Sequence, residues 1–168
     1  MMTIVESGMT FGPFNPEDVF HIENSETFRK LENVKTVEFV LCKQKANNNE
    51  LWLVEAKQSS PMPGNNVSFK DYIEEIEQKF DNSLCVLISL WLNRFFDPEL
   101  SEKIKTVDLK NIQINFIFVI KGHKEEWLPP LKDALQQKLI PLCKTLKLGS
   151  NNIIVLNDTM AKIKGLIV

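Results

Sequence analysis

The pattern of hydrophobic and polar positions predicts a pair of neighbouring strands between residues 34 and 57. Two runs rich in β-branched and aromatic residues, 34–43 (VKTVEFVLCK) and 50–57 (ELWLVEAK), each predict a strand. The intervening residues 44–49, QKANNN, are of the types that form turns. We therefore predict that the two strands form an antiparallel β-hairpin.

A loop and then a helix are predicted after this hairpin. Residues 58–67, QSSPMPGNNV, contain two prolines and a glycine, which favours a loop. Ser68 followed by Asp71 predicts the start of a helix. The apolar residues that share one face of this helix are Phe69, Tyr72, Ile73, Ile76 and Phe80. The charged residues interpreted as its solvent-exposed face are Glu74, Glu75, Glu77 and Lys79.

The rest of the chain continues the alternation of strands and helices. Residues 112–120, IQINFIFVI, become apolar on both faces, which predicts a central strand covered by helices. We predict a long helix over 125–146, a short buried strand over 153–156 and a last helix over 158–163. This order predicts an α/β fold with mixed strand pairing. We predict a single domain spanning residues 1–168, with an extended N-terminal part before the α/β core that begins at residue 34.

Composition narrows the class of protein. The chain has 168 residues, of which 43% are hydrophobic and 25% charged, as expected of one globular domain. A net charge of −2 argues against a uniformly basic nucleic-acid-binding surface, although it allows a local basic groove. The most apolar run, residues 84–92, is too short to cross a membrane, and no signal peptide pattern is present. We therefore expect a soluble cytoplasmic protein.

The arrangement of acids and a lysine on the predicted hairpin suggests chemistry. Alternate residues of a strand share one face, so Glu55 and Lys57 project to the same side. Glu38 lies within VEFV on the preceding strand, where a charge is costly unless it is paired or bound to a metal. Pairing of the two strands would bring Glu38 beside Glu55. Carboxylates are good ligands for Mg²⁺, and a lysine can stabilise charge on a phosphate or orient water.

This order of features resembles the PD-(D/E)xK nuclease superfamily over about residues 19–120. An acid on one strand is followed by a turn, a hydrophobic strand ending in Glu-x-Lys, a loop, a helix and another strand. The resemblance implies a restriction-endonuclease-like mixed sheet flanked by helices. It also implies hydrolysis of nucleic acid with Mg²⁺ or Mn²⁺, in DNA restriction or phage defence.

The resemblance also implies roles for individual residues. Glu55 and Lys57 stand at the Glu and Lys of the motif, and Glu38 stands at the upstream acid, so Glu38 and Glu55 are the expected metal ligands. Glu23 or Glu6 could stand at the extra N-terminal acid that some members carry. The chain departs from the superfamily pattern in having Glu rather than Asp upstream, without a preceding proline.

Other interpretations remain open. Glu55 and Lys57 could form a structural salt bridge, since such pairs are common at strand ends. The chain could be a non-catalytic binding or regulatory subunit on the same fold, acting with a protein partner that supplies recognition or activity. It could also be a general α/β interaction protein. The small size favours the regulatory subunit, whereas the complete set of two acids and a lysine favours the nuclease.

Overall fold

A computed structural model describes residues 1–45 and 48–168 of the chain. Ala46 and Asn47, in the middle of the predicted 44–49 turn, lie outside the described residues. The elements in chain order are β1 (Met2–Glu6), β2 (Met9–Phe14), β3 (Val19–Phe20), α1 (Glu26–Lys30), β4 (Phe39–Gln44), β5 (Asn49–Lys57), α2 (Val67–Trp91), α3 (Glu102–Lys105), β6 (Gln113–Ile120), α4 (Leu128–Thr145), β7 (Ile153–Asn157) and α5 (Asp158–Ile163).

The central sheet has five strands in the order β3-β4-β5-β6-β7. The pairs β3–β4 and β4–β5 are antiparallel, whereas β5–β6 and β6–β7 are parallel. Each parallel pair is joined by a crossover that contains a long helix, α2 or α4, as parallel strands require. The predicted α/β class with mixed pairing is confirmed, and so is the antiparallel pairing of the two strands that carry residues 39–44 and 49–57.

Two apolar layers cover the sheet. On one face α2 and α4 pack against the strands, with the Phe80 and Phe116 rings 5.3 Å apart. On the other face the β1–β2 hairpin and the C-terminal residues form a second cluster, in which the Phe11 and Phe39 rings lie 5.2 Å apart. The N-terminal hairpin is therefore part of the core, because it covers a sheet face that would otherwise be exposed.

The strand predicted over residues 34–43 begins only at Phe39. The segment before it is hydrogen-bonded to α2 instead of to a strand. Val37 N–H donates to Ser83 Oγ at 2.8 Å, and Asn82 Nδ2 donates to the Lys35 carbonyl at 2.9 Å. Glu38 lies in a bend at the start of the strand, yet its N–H still donates to the Val54 carbonyl at 3.1 Å. Its side chain is thus held at the end of β5.

The start of α2 also differs from the prediction. Asn66, rather than Ser68, is the cap, because Asn66 Oδ1 accepts a hydrogen bond from Phe69 N–H at 2.8 Å. Once begun, the helix runs without interruption for 25 residues. Among residues 1–45 and 48–168, no helix combines the length and the hydrophobicity that crossing a membrane requires.

Candidate functional site

The carboxyl end of β5 brings Glu38 and Glu55 together. Phe39 pairs with Val54, so Glu38 stands opposite Glu55 across the hairpin. One ammonium group lies between the two carboxylates: Lys79 Nζ is 2.9 Å from Glu55 Oε1 and 3.6 Å from Glu38 Oε1. Two acids from separate segments therefore share a lysine that α2 supplies.

Glu55 and Lys79 form a buried ion pair. Glu55 is fully buried, and its two oxygens accept hydrogen bonds from Lys79 Nζ at 2.9 and 3.0 Å. Burial raises the pKa of Glu55 to about 7, against the opposing charge of Lys79. Burial by itself would lower the pKa of Lys79, but the surrounding glutamates outweigh it and raise that pKa. Lys79 is thus a buried cation that neutralises Glu55.

The interpretation of Lys79 as part of a solvent-exposed face is wrong, since only 6% of the residue is exposed. Its position follows from the helical repeat. Lys79 comes three residues after Ile76 and seven after Tyr72, so it lies on the face that packs against the sheet. The periodicity contained this signal, but the charge of the side chain masked it.

Lys57 occupies the accessible border of the same group. Its Nζ lies 3.4 Å from Glu55 Oε1 and 3.1 Å from Glu75 Oε1 on α2. The side chain is 25% exposed, so its ammonium can be reached from solvent. Lys35 lies further out, 3.7 Å from Glu75 Oε2. Lys57 is therefore held by two carboxylates while remaining available to a ligand.

Two further glutamates reach Glu38 from the N-terminal region. Oxygen atoms of Glu6, Glu23 and Glu38 all lie within 4.8 Å of one another. Glu6 ends β1, and the turn after it is fixed to the sheet because Ser7 Oγ donates to the Ala56 carbonyl at 2.9 Å. Glu23 follows β3, and its N–H lies 3.5 Å from the Glu38 carbonyl. We call Glu6, Glu23 and Glu38 the carboxylate group.

The carboxylate group is electrostatically incomplete. Glu38 is 5% exposed, and its Oε2 has no hydrogen-bond partner among the described residues. Burial, a hydrogen bond with the Glu23 side chain and the negative charge of Glu55 raise the pKa of Glu38 to about 9, although Lys79 opposes the shift. Three carboxylates this close are unfavourable unless a proton or a cation lies between them. A proton on Glu38 can be shared with Glu23, or a divalent cation can replace it.

The predicted metal ligands were Glu38 and Glu55. The structure places Glu38 in the carboxylate group, whereas both oxygens of Glu55 already bind Lys79. Glu6 and Glu23 were predicted as alternatives for one extra acid, and the structure brings both of them to Glu38. The assignment of Glu55 as a ligand stays a prediction.

The two histidines of the chain, His21 and His123, make different contacts. His21 Nε2 lies 3.5 Å from Glu6 Oε1, at the edge of the carboxylate group. His123 instead contacts Ser60, with 3.1 Å between Nε2 and Oγ, in the loops after β6 and β5. The two histidines thus lie in different surroundings.

Comparisons with models of protein families, with curated proteins and with solved structures found no match to this chain. The structure defines a mixed α/β protein with a polar cluster at the carboxyl end of its strand β5. The residues of that cluster are Glu6, Glu23, Glu38, Glu55, Lys57 and Lys79.

Proposed function

We propose that this chain is a metal-dependent nuclease of restriction-endonuclease-like fold that hydrolyses phosphodiester bonds in nucleic acid. The observation that carries the proposal is the buried Glu38 carboxylate. Its Oε2 has no hydrogen-bond partner among the described residues, and one of its oxygens lies within 4.8 Å of an oxygen of Glu6 and an oxygen of Glu23. A lysine on a neighbouring strand end, Lys57, completes the set that phosphodiester hydrolysis requires.

The residues present fit a divalent cation. Glu38, Glu23 and Glu6 offer hard oxygen donors, which Mg²⁺ and Mn²⁺ prefer. The unpartnered Oε2 of Glu38 gives such an ion a contact that the protein itself leaves open. Glu55 would join these ligands only if Lys79 moved from its carboxylate. When bound, the cation would polarise the phosphate and lower the pKa of a water molecule.

The chain's own side chains would do the rest. The ammonium of Lys57 is partly exposed and held by Glu75, so it can bind a phosphate oxygen or orient an attacking water. Lys79 reduces the negative charge that the buried acids present to a polyanion. Glu38 must release its proton when a cation binds, which makes cation affinity dependent on pH.

A second function has its own support. The chain could be a non-catalytic binding or regulatory subunit on the same fold, with a protein partner that supplies activity. The observation in its favour is Lys79, whose ammonium gives Glu55 an internal counter-ion at the position where the sequence predicts a metal. A site neutralised in this way needs no metal for its stability.

A cleavage assay distinguishes the two functions. Linear, branched and single-stranded DNA and RNA would be incubated with the protein in Mg²⁺ or Mn²⁺, and with EDTA as the metal-free arm. Glu38→Gln should abolish the cation-dependent cleavage, while Glu74→Gln, which changes an exposed acid paired with Lys138, should leave it intact. Cleavage that survives Glu38→Gln would place the active site elsewhere. A wild-type protein inert on every substrate would favour the regulatory function.

A further inference from the structure

A cavity of about 390 Å³ lies beside the carboxyl ends of β5 and β6. One wall is the loop after β5, where Ser60 comes three residues beyond Lys57. The other wall follows β6, where His123 comes three residues beyond Ile120, the ladder partner of Lys57. Three residues span at most about 11 Å, so the cavity is a neighbour of the polar cluster without being part of it.

The lining of this cavity is mainly aromatic and apolar. Trp127 and Met62 face it, and prolines supply much of the remaining wall. Both side chains are accessible, with Trp127 45% exposed and Met62 83% exposed. Cavities of this size and composition bind flat, largely apolar molecules that make a few directed polar contacts. An accessible indole is also a stacking surface for a nucleobase.

The few polar groups in the lining suit the edge of a base. Ser60 Oγ lies 3.1 Å from His123 Nε2, and a hydroxyl can both donate and accept. Burial lowers the pKa of His123, which favours the neutral imidazole. Glu126 adds an acceptor whose negative charge disfavours a phosphate inside the cavity. The interior thus favours a neutral heterocycle over an anion.

A positive charge lies at the rim of the cavity rather than in its lining. Lys124 Nζ lies over the Trp127 ring, 5.0 Å from its centre, and the His123 ring packs against Trp127 in a T-shaped arrangement, so a base would stack on the part of the indole that these two side chains leave open. Lys121 N–H donates to the Lys57 carbonyl at 2.9 Å, but Lys121 Nζ donates to the Gly8 carbonyl at 2.7 Å, so its charge lies at the N-terminal hairpin. A phosphate next to a bound base would therefore meet the ammonium of Lys124.

We propose that this cavity takes an unpaired nucleobase of the substrate strand, stacked on Trp127, with the adjoining phosphate directed toward Lys57. The proposal rests on the proposed function and narrows it. The substrate is then a single strand, or a duplex with a locally unpaired nucleotide, because a base within a duplex cannot enter a cavity.

The test is a binding measurement rather than an activity assay. Fluorescence anisotropy would follow a labelled twelve-nucleotide thymidine strand, and an abasic strand of equal length, in EDTA. Trp127→Ala should weaken binding of the thymidine strand by about ten-fold or more, and Trp127→Phe should retain most of the affinity. The abasic strand should bind the wild type and Trp127→Ala equally, since it presents phosphates without bases.

Phe96→Ala is the matched control. Phe96 is a 73% exposed aromatic residue just beyond the C-terminal end of α2, a helix about 37 Å long whose other end adjoins the cavity loop. This variant should bind as the wild type does. A melting curve of each variant, together with the Phe substitution, separates loss of stacking from loss of folding.

The outcomes separate this proposal from the nuclease proposal. Equal affinity of the wild type and Trp127→Ala for the thymidine strand would overturn the base-binding cavity, and so would absence of binding by the wild type. A Trp127-dependent affinity in a protein that cleaves nothing would retain the cavity and remove the nuclease. Cleavage that needs Glu38, with no effect of Trp127 on binding, would retain the nuclease and remove the base-binding cavity.

Discussion

The two halves of the polar cluster solve the burial of negative charge differently. Around Glu55 the protein supplies the counter-charge itself, because Lys79 binds both carboxylate oxygens and Lys57 lies 3.4 Å away. Around Glu38 it supplies less, since Lys79 is 3.6 Å from one oxygen and the other has no partner among the described residues. The half around Glu55 is therefore complete as a folded structure, whereas the half around Glu38 needs a proton or a cation.

The pKa values of Glu55 and Glu38 follow the same division. Burial raises the pKa of Glu55 to about 7 and that of Glu38 to about 9, although Glu55 is the more deeply buried residue. The closer lysines hold Glu55 nearer to its ordinary value, while Glu23 and Glu55 push Glu38 further away. The local counter-charge, more than the depth of burial, therefore determines the difference between the pKa values of the two acids.

Removing the internal counter-ion should have the largest effect on the folded protein. Lys79→Met leaves the buried Glu55 with only the partly exposed Lys57, 3.4 Å away, as a counter-charge, and loss of one member of a buried pair costs about 3–5 kcal/mol of unfolding free energy. Urea denaturation would measure it. The double variant Lys79→Met with Glu55→Met should recover much of the loss, because apolar side chains then replace both charges. A single variant as stable as the wild type would show that Lys79 does not compensate Glu55.

Lys57→Ala should affect chemistry more than stability. If the proposed nuclease is active, removing the ammonium should slow cleavage by about 10²-fold or more, by analogy with losing one transition-state donor. The unfolding free energy should fall by at most about 1 kcal/mol, because the side chain is partly exposed and leaves no core cavity. The matched control is Lys35→Ala, which removes the more exposed lysine that also faces Glu75. Undiminished cleavage by Lys57→Ala would exclude Lys57 from the reaction.

The pH dependence of stability should report the protonation of Glu38, in the half of the cluster that lacks counter-charge. The pKa of Glu38 rises on folding from an ordinary 4.5 to about 9, so the folded state binds the extra proton between these values. Unfolding free energy should therefore fall as pH rises from about 5 to 9. Glu38 contributes at most about 1.4 kcal/mol per pH unit to this fall, and Glu55, whose pKa is raised to about 7, adds to it below pH 7. Glu38→Gln should flatten the slope between pH 7 and 9, where Glu38 dominates it, and saturating Mn²⁺ should flatten it there in the wild type. Equal slopes in all three would contradict the assignment.

Much of this site could be predicted from the sequence, because local sequence patterns determine the strands at its centre. The strands that became β5 and β6 followed from their own composition, and hairpin pairing predicted Glu38 beside Glu55. Glu6 is different, because a tertiary contact positions it: Ser7 bonds to Ala56, 49 residues away in sequence. No periodicity within either segment encodes that contact. The position of Lys79 was encoded in the helical repeat, but a charge on an apolar face contradicts the usual pattern.

A crystal of the protein grown with Mn²⁺ would test the central claim, that the carboxylate group is a divalent cation site. Anomalous scattering locates manganese directly. We expect a peak within bonding distance of Glu38 Oε2 and of Glu23 or Glu6, with Lys79 still on Glu55. A peak between Glu38 and Glu55, with Lys79 displaced, would assign the metal to the pair predicted from the sequence alone. No peak, with Glu38 sharing a proton with Glu23, would contradict the claim.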